Sequence, residues 1–251
     1  MKIEWDYTTL ASFYDKRADY SEKALARLCE ALGVRAGASV ADIGAGTGKL
    51  AIPLAQRGLR VSAVEPNDSM RAFGTRNSEG LAISWSEGSG EHTGLPSTAF
   101  DLATFGSSFN VVNQHAALVE AARILKREGG LACMWNHRDL DDPLQAKVEA
   151  VIQREIKDYS YGKRREDPTA VIDSSDLFGP VGAIEDRFVA HVSRVDYIDA
   201  WRSHATLQRQ AGAEFSRIIS LIDDAVGPDD ILPIPYFTRI WFARRRGTTS
   251  R

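Results

Sequence analysis

Two carboxylates and a set of closely spaced glycines carry the chemistry legible in this chain. Val40-Ala41-Asp42-Ile43-Gly44-Ala45-Gly46-Thr47-Gly48 reads as a buried strand, a glycine-rich turn and the start of a helix. Asp42 puts a carboxylate just before the turn, and Glu65 ends the next apolar run, Leu59-Arg60-Val61-Ser62-Ala63-Val64. Small residues at Gly44, Ala45 and Gly46 let a ligand lie against backbone amides. An acid at the end of the second strand can accept hydrogen bonds from both hydroxyls of a ribose. A plain strand-to-helix turn with a surface acid would not need the three features together, so they point to a nucleoside-containing ligand.

The glycine spacing separates two such ligands. A dinucleotide fingerprint is G-x-G-x-x-G, with its third glycine three positions after the second. Here Gly44, Gly46 and Gly48 alternate, and Lys49 stands where that third glycine would be. A pyrophosphate needs an electropositive helix N-terminus, and Asp42 beside the pocket would repel it. The same carboxylate would favour the ammonium or sulfonium of S-adenosylmethionine.

Val40 to Leu50 resembles the cofactor motif of the class I S-adenosylmethionine-dependent methyltransferases. Further stretches are similar to the branch that includes trans-aconitate methyltransferase: Phe13-Tyr14-Asp15-Lys16-Arg17, Glu65-Pro66-Asn67-Asp68-Ser69-Met70, Glu91-His92-Thr93-Gly94-Leu95-Pro96, Glu120-Ala121-Ala122-Arg123-Ile124-Leu125-Lys126 and Trp135-Asn136-His137-Arg138-Asp139. The resemblance runs from about Phe13 to about Pro143 and is weak beyond. It implies that Tyr14, Arg17 and Tyr20 close over the methionine end of the cofactor, with Arg17 able to pair its carboxylate. It puts Gly44, Ala45, Gly46, Glu65 and Pro66 at the nucleoside, and Met70 against adenine, where an ordinary core methionine is the competing role. Ser89, Gly90 and Glu91 then lie near adenine; related enzymes often carry an acid where Ser89 stands, and Glu91 is the alternative loop-ordering group. Phe105, Gly106 and Ser107 would face the transferred methyl, and Ser108, Phe109 and Asn110 the acceptor. The trans-aconitate-like branch commonly has a His-Trp pair where this chain has Asn110 and Val111, which puts the branch's substrate in question more than its reaction.

Trp135, Asn136, His137 and Arg138 end the fifth strand, beside the expected acceptor space. His137 is the candidate general base, because an unperturbed histidine titrates near neutrality; a structural histidine is the competing role. Arg138 could bind a substrate carboxylate. His204 is a candidate cap residue above the substrate, whereas His92, His115 and His191 carry no such placement. The reaction implied is in-line displacement of the sulfonium methyl by an oxygen, nitrogen or carbon nucleophile of a small molecule, and a carboxylate acceptor would need no base. An NAD-dependent oxidoreductase, a nucleic-acid methyltransferase and a non-catalytic S-adenosylmethionine-binding protein are the alternatives. The glycine spacing and Asp42 oppose the first. The net charge of −3 and the lack of an Asn-Pro-Pro-Tyr-like motif oppose the second.

The elements that must position these groups follow from periodicity. Helices are expected at Leu10 to Tyr20 and Ser21 to Leu32, then strand 38–43, helix 48–57, strand 60–65, helix 68–76, strand 81–86, strand 100–105, helix 114–126 and strand 131–136. This alternation implies right-handed crossovers and a parallel sheet, with ligands at the carboxyl ends of the strands. Beyond Arg138 the pattern predicts a helix from Asp141 to Tyr159, a polar stretch to Pro180 containing the run Lys163-Arg164-Arg165, and a strand from Arg187 to Val195. Helices at 196–209 and 212–226 and a strand from Tyr236 to Arg244 complete it. The expected fold is α/β: a Rossmann-like, mostly parallel seven-stranded sheet with helices on both faces and an antiparallel last strand. It forms one domain over 1–251, with an N-terminal helical lid (1–36), a cofactor-binding core (37–139), a substrate-cap insertion (140–183) and C-terminal strands and helices (184–251).

A chain of 251 residues with 43% hydrophobic and 26% charged residues has ample material for such a core. Cys29 and Cys133 lack metal-ligand spacing, so no metal is expected. The polar opening Met1-Lys2-Ile3-Glu4-Trp5-Asp6 and the lack of an apolar run near ~20 residues predict a cytoplasmic protein without a membrane or nucleic-acid partner.

Overall fold

The computed structural model describes residues 8–161 and 166–247. The run Lys163-Arg164-Arg165 lies outside the described residues. Seven strands form one sheet in the order β3-β2-β1-β4-β5-β7-β6. They are β1 (Ser39–Ile43), β2 (Arg60–Val64), β3 (Ile83–Ser86), β4 (Phe100–Gly106), β5 (Leu125–Arg138), β6 (Gly182–Ser193) and β7 (Ile231–Arg244). The first five run parallel, and β7 is antiparallel to both β5 and β6. The expected Rossmann-like arrangement is therefore present, with its order reversing between β1 and β4. That reversal opens a crevice at the strands' carboxyl ends.

Alternation along the strands explains the two layers. Val40 and Leu102 join one apolar cluster, with Leu25 and Leu28 of α2 (Glu22–Leu32) and Leu54 of α3 (Ala51–Gln56). Ala41, Ile43, Ala103 and Phe105 join the other, with Leu118 and Ala121 of α5 (Gln114–Ile124). Successive strand side chains point to opposite faces, so a parallel sheet buried on both faces reads as the continuous apolar runs seen here. Between β2 and β3 lies α4 (Asp68–Asn77), whose N-cap Asn67 accepts the Met70 amide at 3.0 Å.

A third apolar cluster lies beyond the sheet core. It joins Val148 and Ile152 of α6 (Pro143–Glu155) to Tyr197 and Trp201 of α8 (Arg194–Arg202), Leu207 of α9 (Ala205–Ala211) and Ile222 of α10 (Phe215–Val226). Asp142 caps α6 by accepting the Leu144 and Gln145 amides. Between these segments a short α7 (Thr169–Ser174) packs toward α5.

Several expected boundaries move. The helix expected from Leu10 to Tyr20 is a 3-10 turn at Thr8–Leu10 and a short α1 (Ala11–Tyr14), after which the chain runs in a turn to the N-cap Ser21. The helix expected to reach Lys126 stops at Ile124, because Leu125 already pairs with Phe100. The last two strands begin earlier than periodicity predicts, β6 at Gly182 and β7 at Ile231, since each gains ladder bonds from the other along its whole length. Among the described residues no helix is long and apolar enough to cross a membrane, and no cluster of His, Cys, Asp and Glu could hold a metal ion.

Candidate functional site

The glycine turn between β1 and α3 is held from β2. The amides of Gly44 and Ala45 donate to the Val64 carbonyl at 2.8 and 3.0 Å, and the Gly46 amide donates to Glu65 Oε2 at 2.9 Å. Glu65 Oε1 accepts the Asn67 amide at 2.9 Å. The Gly48 amide donates to Ala45 O. The turn amides expected to face a ligand are thus spent inside the protein, and a pyrophosphate would find none of these four. Gly44 has a φ of +69°, and a Cβ there would lie 2.5 Å from Ser108 Cβ. Only glycine lets the turn approach the end of β4 this closely.

Asp42 and Thr104 are direct neighbours across β1 and β4. Thr104 Oγ1 donates to Asp42 Oδ1 at 2.9 Å. Among the described residues Asp42 Oδ2 is buried with no hydrogen-bond partner. Burial, reinforced by the nearby charge of Glu65, pushes the Asp42 carboxyl up to about 7 against the pull of Thr104. Burial also raises Glu65, against the Asn67 and Gly46 amides that it accepts.

A cavity opens at this end of the sheet. It brings together the expected residues Tyr14, Arg17, Tyr20, Asp42, Gly44, Ala45, Gly106, Ser107, Trp135, Asn136, His137, Arg138 and His204. Glu65, Pro66, Met70, Ser89, Gly90 and Glu91 do not line it. They belong to the neighbouring strand ends: Glu65 grips the Gly46 amide, and Met70 Cε lies 3.3 Å from where a Gly46 Cβ would be. Tyr14 meets the same spot from the other side, at 3.7 Å. Gly90 sits against Val112, and Glu91 Oε1 accepts the Asn113 amide at 2.6 Å, the loop-ordering alternative.

Other expected residues make contacts within the protein. Phe105 and Phe109 are fully buried and meet edge to face at 5.3 Å, turned into the core away from the cavity. Ser108 donates to the Ile43 carbonyl at 2.5 Å and packs on Gly44. Asn110 accepts from Gln114 in a 3-10 turn off the cavity, and so the two positions of the His-Trp pair do not reach it. Asn136 lines the cavity, yet its amide is occupied: it donates to the Asp19 carbonyl at 2.8 Å and accepts from Thr238 at 2.6 Å. Trp135 turns its ring onto Trp241, edge to face at 5.1 Å.

The N-terminal segment ties the two sides of the cavity together. Arg17 Nε donates to Ser203 Oγ at 2.8 Å and Nη2 to the Ser203 carbonyl at 2.7 Å, at the end of α8. Its guanidinium also lies 4.1 Å above the Tyr14 ring. Asp15 accepts from Asn77 at the end of α4 at 2.7 Å. Tyr20 Oη and Ser107 Oγ are 3.1 Å apart, and burial raises the Tyr20 phenol well above its ordinary range. Ser107 has a φ of +63°, an uncommon conformation for a residue with a side chain. His204 caps α9, its Nδ1 accepting the Leu207 amide at 3.2 Å, which leaves the ring proton on Nε2 in the neutral form.

Tyr161, Tyr236, Ala200, Lys49 and Leu50 also line the cavity, and none was expected there. Tyr236 is the direct partner of Arg138 across β5 and β7, and that register is the signal that would have found it.

Residues 41–133 match the methyltransferase domain family. Over that stretch the chain is similar to a methyltransferase domain. An uncharacterized methyltransferase of Mycobacterium tuberculosis is 35% identical over 101 residues, which are 40% of this chain and 40% of that protein. A ubiquinone/menaquinone biosynthesis C-methyltransferase of Rubrivivax gelatinosus is 29% identical over 139 residues, 53% of this chain and 55% of that one. The matches thus span about two fifths to just over half of these relatives' length. Among solved structures, phosphoethanolamine N-methyltransferase 2 of Haemonchus contortus, bound to S-adenosyl-L-methionine, superposes with a TM-score of 0.56. It is 15% identical, covering 96% of this chain and 57% of that one. The YcgJ protein of Bacillus subtilis gives 0.55 at 15% identity over 90% of this chain and all of that one. At such identities the structures speak for the fold alone.

Proposed function

We propose that this protein transfers a methyl group from S-adenosylmethionine to a small organic acceptor bound in the cavity. The observation that carries this reading is Asp42 Oδ2, a buried acceptor without a partner on the wall of the cavity, beside a glycine turn whose amides are satisfied internally. Such a site suits a cationic ligand and not a phosphate anion. Glu65, with lone pairs left beyond the two amides, suits the ribose hydroxyls. Met70 and the Ser89–Glu91 loop suit the adenine, and Tyr14 and Tyr20 the methionine end.

The bound cofactor supplies a methyl already activated by its sulfonium. What the chain contributes is alignment and the exclusion of water, and well-oriented partners gain on the order of 7–11 kcal/mol from proximity. The lid segment bonded to Ser203 and Asn77 closes that space. His137, at the cavity wall, is the group we assign to take a proton from an acceptor that carries one. Its role lapses for an acceptor that arrives as an anion. Within the family we place the chain beside the trans-aconitate methyltransferase-like branch on its Phe13–Arg17 and Trp135–Asp139 stretches.

Calorimetry with S-adenosylhomocysteine and with NAD tests the donor assignment. Tight binding of the first and none of the second is expected; the reverse would replace methyl transfer with an oxidoreductase reading. Binding without turnover on a broad acceptor panel would favour a non-catalytic cofactor-binding protein.

A further inference from the structure

The acceptor end of the cavity holds a cation that no carboxylate among the described residues balances. Three basic side chains line the cavity: Arg17, Lys49 and Arg138. Arg17 is engaged by Ser203, and Lys49 by Asp19 at 3.1 Å. Among the described residues no carboxylate pairs with Arg138. The adjoining acid, Asp139, is taken by Arg187, and Arg138 Nε is buried with no hydrogen-bond partner.

The surroundings of Arg138 hold its plane without satisfying its charge. The guanidinium lies 4.0 Å from the Trp201 ring centre and 5.4 Å from that of Tyr197. Stacking of this kind fixes a planar fork of donors in one orientation. Its polar neighbours are the phenols of Tyr236, Tyr197 and Tyr161, of which Tyr236 accepts a hydrogen bond from it and none carries a balancing charge. Two of these, Tyr236 and Tyr161, line the cavity with His204, whose ring stands 6.0 Å from Tyr161. A fixed guanidinium beside flat aromatic walls matches a flat anion: the fork takes two oxygens at once, and the rings take the faces of an unsaturated body.

We propose that Arg138 anchors the methyl acceptor through a carboxylate-type group, that the acceptor is a flat, unsaturated organic anion, and that the anchored group is not the one methylated. The last point follows from charge. A carboxylate gripped by a guanidinium has its lone pairs engaged and its electron density drawn off, so it is a poor nucleophile, and the methylated atom lies elsewhere on the molecule. The term acceptor rests on the methyl-transfer reading above, whereas anion binding at Arg138 does not.

Benzoate is the probe, titrated by calorimetry into the full chain with and without S-adenosylhomocysteine. Benzamide supplies the same shape without the charge, and cyclohexanecarboxylate the charge without the flatness. Charge-assisted pairs of this kind separate ligands by about tenfold or more. Benzoate should therefore bind at least that much tighter than benzamide, and tighter than cyclohexanecarboxylate. The Arg138→Met variant should lose the preference over benzamide while keeping its affinity for S-adenosylhomocysteine. Equal binding of benzoate and benzamide by the unaltered protein would overturn the anion site, and so would undiminished benzoate binding by Arg138→Met or no benzoate binding at all. These comparisons on the unaltered chain stand even where the variant does not fold. Incubation with S-adenosylmethionine and benzoate should yield no methyl benzoate by mass spectrometry, and its formation would overturn the anchoring role. Arg138-dependent benzoate binding by a chain that ignores S-adenosylhomocysteine would keep the anion site and sink the methyl-transfer reading instead.

Discussion

The carboxylate of Glu65 accepts the Gly46 amide at 2.9 Å, so the acid that ends β2 holds in place the turn that ends β1. Its other oxygen accepts the Asn67 amide at the start of α4. The residue is therefore a brace for the cofactor turn before any ligand arrives. Glu65→Ala leaves two amides unpaired at a buried site and should cost about 1–3 kcal/mol of stability in urea denaturation. Affinity for S-adenosylhomocysteine should fall at least about tenfold with it. Glu65→Gln retains an acceptor and should recover most of the stability. A Glu65→Ala variant with unchanged stability would show that the brace is not needed.

Ser107 adopts a left-handed backbone with φ +63° while its hydroxyl meets that of Tyr20 at 3.1 Å. For a residue with a side chain such a conformation costs roughly 1–2 kcal/mol, a penalty that glycine escapes. Ser107→Gly should therefore hold or raise the melting temperature despite losing a hydrogen bond. Ser107→Ala keeps the strain, loses the bond and should melt lower than the unaltered protein. Thermal melts of the pair check this: a glycine variant melting below the alanine variant would contradict the strain argument.

Arg17 joins the N-terminal segment to the end of α8 through two bonds to Ser203. Replacing it with methionine keeps a long apolar side chain and removes both bonds together with the guanidinium's contact over Tyr14. Hydrogen exchange of the amides at 11–17 should then quicken by about an order of magnitude or more, because the segment loses about 1.5–3 kcal/mol of charge-assisted bonding. Exchange in the β1 and β4 strands should not change. Equally slow exchange in Arg17→Met would mean that the segment is held by its remaining contacts, Asp15 with Asn77 of α4 and Lys16 with Asp196 of α8.

The central sheet was legible from sequence because each parallel strand is a short apolar run bounded by turn residues, and each motif falls where a run ends. Asp42, Glu65 and the glycine turn needed no tertiary information, since neighbouring strand ends bring them together. The acceptor wall was less legible. Phe109 and Ser108 read as pocket residues from their place after β4, but one turns into the core and the other closes on Gly44. Tyr236 faces Arg138 through the register of β5 with β7, about a hundred residues apart in the chain, and local periodicity does not encode that register. The short α1 looks longer in the sequence than it is, because Tyr14, Arg17 and Tyr20 repeat at helical spacing while lining the cavity and not a helix face.

Asp42 couples stability to ligand binding through its ionisation. In the folded protein its carboxyl is pushed up to about 7 by burial, and in an unfolded chain it titrates near ~3.9. The folded state thus holds a proton that the unfolded state releases. Stability from this group is undiminished below about 4 and is lost as pH rises from there through about 7. Glu65 is raised by burial too and adds a contribution of the same sign. The cationic cofactor assigned to this site favours the ionised carboxylate, so cofactor affinity should rise across the same window in which stability falls. Asp42→Asn removes the titration. Its stability should decline less steeply between pH 4 and about pH 7 than that of the unaltered protein, as measured by urea midpoints at a series of pH values. Its affinity for S-adenosylmethionine at pH 8 should drop at least about tenfold and lose most of its pH dependence. Opposite pH trends for stability and affinity in the unaltered protein, both flattened in the variant, would identify Asp42 as the shared group. Parallel profiles for the two proteins would mean that the carboxylate is already ionised in the folded state and that another residue receives the cofactor's charge.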